Sequence, residues 1–287
     1  MSNLPDIFFK GNARKIRGLL TTALSLAFLL RVPPCIAQQD KAFQLVKSIP
    51  GDMADFTVDN LGNIYFLSPE NQLKKLNPAG DSLAVFNDVR RYGKIYSMDV
   101  TNPLKILLYY KEFETIVVVD RFLNIINIID LRSLNIFQAK AFGLAYDNNV
   151  WVYDELEAKL KRIGDDGTLI DQTTDIRQVL DSVPDPQVII DQSGLVYLYD
   201  SAKGVYIFDH YGAFKNHLPL VGWKDFSVIE KSMLGRNFQY FFRYKIGDAD
   251  VQLEPIPPAY LPSIKIAILP SSIYVLKQKG LEIYSRR

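Results

Sequence analysis

Between Asp55 and Asp88 four short apolar runs are separated by three tight turns, and this stretch constrains the fold more than any other. Asp55-Phe56-Thr57-Val58-Asp59 alternates polar and apolar residues, as a half-buried strand does. Asn60 to Asn63 supplies Asn and Gly, which tolerate positive φ. Ile64 to Leu67 is a continuous apolar run, suited to a strand covered on both faces. Leu73 and Leu76 mark a third strand, Asn77-Pro78-Ala79-Gly80 a turn, and Leu83 to Phe86 a fourth strand. Four such strands cannot cover both faces of their own sheet, so they need stacked neighbours.

The chain supplies those neighbours. Further copies begin near Ile95, Ala141, Gln187, Trp223 and Ile264. The residues closing each first strand (Asp59, Thr101, Asp147, Asp191, Glu230, Pro270) recur about every 40–45 residues, the period of a propeller blade. The last copy has only three strands before the chain ends, and a lone strand at 43–49 supplies the fourth. Pairing the two removes a sheet edge. The sequence therefore predicts an all-β, six-bladed β-propeller with four-stranded antiparallel blades, its ring closed by N-terminal strand 43–49 joining the last blade. In the fifth copy the strands are expected at 224–230, 238–244 and 249–254. Its outer strand then falls in the Pro-rich 255–262 and should be irregular, because proline removes ladder donors.

Val58-Asp59, Gly62-Asn63-Ile64-Tyr65 and Asn77-Pro78-Ala79-Gly80 resemble an NHL-type repeat. Val188 to Asp191 with Gly194 to Tyr197 is a second match, and Asp147 with Val150 to Tyr153 a partial one. The second, fifth and sixth copies lack the Asp and Gly. The resemblance implies a propeller of the NHL-like or TolB-like type, a group that includes extracytoplasmic scaffolds, ligand binders and a few metal-dependent enzymes. With the leader described next, the chain also resembles secreted propeller proteins of Bacteroidota.

Lys10, Arg14, Lys15 and Arg17 precede an apolar segment from Gly18 to Leu30. That segment is shorter than the roughly 20 residues a membrane-spanning helix needs. Small residues at Cys35 and Ala37 then suit cleavage before Gln38, so residues 1–37 read as a signal peptide and 38–287 as a single propeller domain. The protein is expected to be exported, to the periplasm or associated with the outer membrane, with no transmembrane span after cleavage. A lipid anchor at Cys35 is the weaker alternative, since proline immediately precedes it.

The net charge of +1 offers no basic excess for nucleic acid. A single cysteine excludes an internal disulfide, and two histidines, His210 and His217, leave little for His-rich metal chemistry. Nucleotide-binding loops and nucleophile elbows are missing from the sequence. No catalytic residue, metal ligand or cofactor is assigned. The repeated Asp59, Asp147 and Asp191 fit acceptors of turn N–H groups better than metal ligands. The innermost strands are mostly apolar or small (Met98, Leu144, Ala145, Ile189, Ile190, Ala267, Ile268). The acids of the second-to-third-strand turns (Glu70, Glu112, Glu114, Asp154, Glu155, Glu157, Asp200) therefore read as a solvated rim. Arg90, Arg91, Tyr92, Trp223 and Tyr260 lie in the blade-to-blade connectors and are of the types that anchor protein interfaces. Tyr92 and Trp223 could equally wedge between blades. The expected function is a noncatalytic interaction or scaffold propeller of the bacterial envelope, monomeric, binding a protein partner through one face. The alternatives are a metal-dependent extracytoplasmic hydrolase or lyase and a propeller that binds a carbohydrate or small ligand.

Overall fold

The computed structural model describes residues 43–285. The expected signal peptide at 1–37, with Cys35, lies outside the described residues. Strand β1 (Gln44–Pro50) comes first. Blade one follows as β2 (Asp55–Val58), β3 (Ile64–Leu67), β4 (Leu73–Leu76) and β5 (Ser82–Phe86). A four-residue helix, α1 (Val89–Tyr92), leads to blade two: β6 (Ser97–Asn102), β7 (Lys105–Tyr110), β8 (Thr115–Val119) and β9 (Ile125–Asp130). Blade three is β10 (Ala139–Leu144), β11 (Val150–Asp154), β12 (Lys159–Ile163) and β13 (Leu169–Gln172). Blade four is β14 (Val188–Gln192), β15 (Leu195–Asp200), β16 (Gly204–Asp209) and β17 (Phe214–Leu218). Blade five is β18 (Lys224–Ile229), β19 (Ser232–Arg236), β20 (Tyr240–Lys245) and β21 (Gln252–Pro255). Blade six is β22 (Lys265–Ile268), β23 (Ser272–Lys277) and β24 (Gly280–Ser285), with β1 outside β24.

Each blade is a four-stranded antiparallel meander, so the six-bladed expectation holds. Closure also falls where expected. Strand β1 pairs antiparallel with β24 from Gln44 opposite Ser285 to Pro50 opposite Gly280, with one bulge between Leu45 and Lys47. The innermost strands of successive blades touch all the way round, including β2 against β22.

The middle strands explain the apolar runs. Every residue of β7 and β8 is buried, because a blade's middle strands are covered on both sheet faces by the adjacent blades. Six clusters of buried hydrophobics fill the six seams between blades. Leu73, Phe86, Ile106 and Tyr110 belong to the first, and Phe66, Leu76, Leu276 and Leu281 to the one that closes the ring. Burying each such side chain contributes about 1.5–3 kcal/mol, so most of the stability lies between blades.

Blade five departs from the expectation. Its second strand is β19 (Ser232–Arg236), its third β20 and its outer strand β21, which reaches only the first residue of the Pro-rich segment. Pro255 ends β21 opposite Tyr240, and the remaining prolines lie in the connector, where Pro258–Tyr260 forms a single 3-10 turn. The reason is visible in β19. Gly235 packs under Trp223, whose Cε3 would sit 2.7 Å from a Cβ at that position. Arg236 is buried, yet it donates to Asp225 Oδ2 at 2.5 Å and to the Ile264 carbonyl at 3.1 Å. Tertiary partners thus support a strand that local composition does not mark.

Candidate interaction face

An antiparallel meander places its connectors and its second-to-third-strand turns at one end of the strands, and its other two turns at the opposite end. Those at the first end differ from blade to blade in length and sequence. They expose Tyr96, Phe113, Phe137, Leu156, Phe238 and Ile264, each between 45% and 69% accessible. Two of these rings carry a cation. Lys111 Nζ lies 4.7 Å from the Tyr96 ring centre and Lys224 Nζ lies 4.1 Å from that of Phe238. Tyr96 and Ile264 each directly precede an innermost strand, and Lys224 begins one, so these groups stand beside the channel mouth.

The five connector residues singled out in the sequence separate into two kinds. Arg90 and Arg91 are exposed on α1, and the Arg91 guanidinium lies 5.0 Å from the Tyr92 ring. Tyr92, Trp223 and Tyr260 are buried in the seams. Tyr92 packs 5.3 Å from Tyr110. Trp223 stacks on Phe242 at 5.2 Å, and its carbonyl accepts the Tyr199 hydroxyl at 2.7 Å. Tyr260 meets Tyr284 edge-on at 4.5 Å. Burial pushes the Tyr260 hydroxyl up to about 12. These three rings therefore set the shape of the connectors, and the two arginines are what α1 presents to solvent. The exposed rings, Tyr96 and Phe238 above all, were not singled out from the sequence. Their signal was an aromatic residue in a loop beside a lysine of a neighbouring loop or strand.

The acids of the second-to-third-strand turns do not form one solvated rim. Glu70 and Glu112 are exposed, but Glu114, Asp154 and Asp200 are buried. Glu114 accepts the Tyr109 hydroxyl at 2.7 Å and the Ala139 N–H at 3.1 Å across the next seam. Burial, and then this carboxylate, raise the Tyr109 hydroxyl far above its ordinary value. Asp154 accepts the Leu156 N–H at 3.1 Å and pairs with Lys161 at 2.6 Å. Asp200 accepts the N–H groups of Ala202 and Asp185, both at 2.8 Å. A short acceptor can satisfy turn donors that would otherwise be buried unpaired, which is why acids recur there.

The repeated acids at the other end do similar work. Asp59 accepts from the backbone of Leu61 and Asn63 and from the Tyr65 hydroxyl, at 2.8 to 3.0 Å. Asp147 accepts from the Asn149 N–H and pairs with Arg162 at 2.8 Å. Asp191 reaches into blade three, where its Oδ2 accepts Trp151 Nε1–H at 2.9 Å and the Tyr146 N–H at 3.1 Å. Burial raises the Asp191 carboxyl above its usual range. The innermost strands, expected to be mostly apolar, also carry acids that join blades. Asp99 accepts the Leu144 N–H at 2.7 Å, Asp225 accepts the Ile266 N–H at 2.8 Å, and Asp55 pairs with Lys265 at 2.7 Å.

His217 stacks on Tyr206, and its Nε2 lies 2.8 Å from the Lys203 carbonyl oxygen. His210 packs at a tilt against Tyr146, 4.7 Å between ring centres, at the opposite end of blade four. Among the described residues no three His, Cys, Asp or Glu side chains converge in a group that could hold a metal ion. No helix among them is long and apolar enough to cross a membrane.

Fold and face together define a six-bladed propeller with one variable end. No protein-family model and no curated protein sequence matches the chain. Solved propellers do. A streptogramin B lyase is 14% identical over 81% of this chain and 78% of its own, with a TM-score of 0.56. Virginiamycin B lyase from Staphylococcus aureus, solved as a catalytically inactive variant with quinupristin, is 10% identical over 85% and 99%, with a TM-score of 0.60. YCF48 bound to a D1 peptide is 10% identical over 84% and 82%, with a TM-score of 0.51. At these identities the similarity is one of fold. The neighbours include both a lyase and a peptide-bound propeller, and the fold alone does not choose between such functions.

Proposed function

We propose that this protein is a noncatalytic interaction propeller that binds a protein partner through its connector end and works outside the cytoplasm, in the bacterial cell envelope. The observation that carries the reading is the exposure of Tyr96 and Phe238, each held under a lysine, with Arg90 and Arg91 on the same end. Aromatic rings and arginines supply most of the energy at protein interfaces. An exposed ring ordered by a cation loses little freedom when a partner covers it. The NHL-like resemblance and the leader segment support the same reading and an extracytoplasmic address.

The test is recovery of partners from an envelope fraction on immobilised protein. The double variants Arg90→Ala/Arg91→Ala and Tyr96→Ala/Phe238→Ala are expected to recover at least tenfold less of the same bands, with unchanged thermal unfolding. Undiminished recovery with both variants would overturn the proposal. Lyase-type turnover by the unmodified protein that survives both double substitutions would overturn it as well.

A further inference from the structure

We infer that the outer seam between blades three and four is a binding site for an uncharged small molecule with an aromatic ring system, built from residues other than Arg90, Arg91, Tyr96 and Phe238. A hollow of about 360 Å³ lies there, within the volume range of small-ligand sites. Its floor is Ile176 and Phe208, both 2% exposed, with Thr173 beside them. Phe214 forms a wall, T-shaped to Phe208 at 5.6 Å. The lip carries Tyr211, whose side chain is largely in solvent.

Three features select the ligand. First, nothing that lines the hollow carries a charge at neutral pH. A charged group seated there would lose hydration without gaining a counter-charge, which costs far more than an apolar contact returns. The ionic side chains next door do not supply that counter-charge, because Asp175 pairs with Arg177 and Glu157 with Lys159. Second, the walls are aromatic, and rings pack best on rings offset or edge-on. Third, Gln172, Thr174 and Tyr211 bring uncharged polar groups to the lining, which can orient a single polar substituent. Thr173 Oγ1 already accepts the Leu160 N–H at 3.1 Å, which fixes its place.

The hollow is held open by backbone, not by flexible side chains. The turn that carries Tyr211 is anchored by Asp209, which accepts the N–H groups of Tyr211 and Ala213 at 3.0 and 2.9 Å. Gly212 has a φ of +82°, and a Cβ there would lie 3.0 Å from Thr173 Cγ2. The absent side chain lets blade four touch blade three below the hollow. On the other side a 3-10 turn at Ile176–Gln178 is capped by Asp175, which accepts the Arg177 N–H at 2.9 Å. A preformed cavity lowers the ordering cost of binding.

The probe is 2-naphthol, with naphthalene-2-sulfonate as its charged counterpart, titrated into the protein by calorimetry and amide NMR. Saturable binding of 2-naphthol is expected, with shifts grouped at residues 173–180 and 208–214, and at least tenfold weaker binding of the sulfonate. Ala213→Trp, placed at an exposed position of the lip, is expected to reduce 2-naphthol affinity at least tenfold. Phe122→Ala, an exposed ring on the second blade, should leave it unchanged. The inference is overturned by non-saturable binding, by sulfonate binding as tight as naphthol, or by an Ala213→Trp variant that folds and binds as well as the parent. Because Arg90, Tyr96 and Phe238 lie elsewhere, their variants should bind 2-naphthol normally whatever they do to partner recovery.

Discussion

The two ends of the strands expose apolar residues for different reasons. At the turn end, Leu61, Leu104, Phe122 and Tyr211 are exposed at equivalent places. Each donates its N–H to the acid or amide two residues earlier, namely Asp59, Asn102, Asp120 and Asp209. The turn fixes the backbone at these residues, so exposure there follows from one turn repeated in three blades, and only at Tyr211 does it leave a ring beside a hollow. At the connector end Leu156 repeats this geometry on Asp154, but Tyr96, Phe137 and Phe238 do not. Residues that recur from blade to blade report how a blade is made, and those that do not recur are where function can differ.

If that division is sound, the largest effect on stability should come from a residue at the variable end that nevertheless faces inward. Trp223→Ala removes a buried ring stacked on Phe242. It should cost about 3–5 kcal/mol in urea unfolding, the range for large aromatic truncations. A loss under 1 kcal/mol would return Trp223 to the list of interface anchors. Next comes Asp59→Ala at the turn end, which strips the acceptor from the Leu61 and Asn63 N–H groups and from a buried Tyr65 hydroxyl. About 2–3 kcal/mol is expected, because each donor left unpaired costs on the order of 1–3 kcal/mol when buried and less where water reaches it.

Asp191 sharpens the comparison in a different way. Burial raises its pKa in the folded chain, so folding favours the protonated form. Its contribution is therefore most favourable below the unfolded-state value and is lost as pH rises through the folded one. Asp191→Asn should flatten that part of the stability profile between pH 7 and pH 4, and an identical profile for parent and variant would count against the assignment. Asp175, part-exposed at the surface, has the opposite sign. Its bond with Arg177 lowers its pKa, so its contribution is present at neutral pH and lost in acid. Smallest of all, Arg90→Ala and Arg91→Ala should each change stability by less than about 0.5 kcal/mol, as ordinary surface substitutions do. A larger loss would make α1 a structural clamp instead of a presented surface.

Much of the architecture was legible because strand period and turn chemistry are local signals. Ile64 to Leu67 and Asp59 with Gly62 announce a covered strand and a turn without reference to anything distant. Strand β19 was not legible. Gly235 and Arg236 weaken any strand pattern, and their partners Trp223, Asp225 and Ile264 lie 11 or more residues away in sequence. The candidate face was read in part for the same reason. Arg90 and Arg91 are charged and unlikely to be buried on chemistry alone, whereas a tryptophan or tyrosine in a connector has the same composition whether it anchors a partner or plugs a seam. Burial decides between those roles, and burial is a property of the assembled ring.

The junction of β1 with β24 also orders events in time. Gln44 and Ser285, at opposite ends of the described chain, are neighbours in one ladder. Strand β1, made before every other described strand, is thus the last of them to find its ladder partner. Until β24 exists, the exposed Leu45 and Val46 have no partner strand beside them, and a chain interrupted before residue 280 leaves β1 an unpaired strand and the closing seam uncovered. Contacts this far apart in sequence slow folding. Premature termination between β2 and β24 should therefore produce aggregation-prone fragments, not smaller stable propellers.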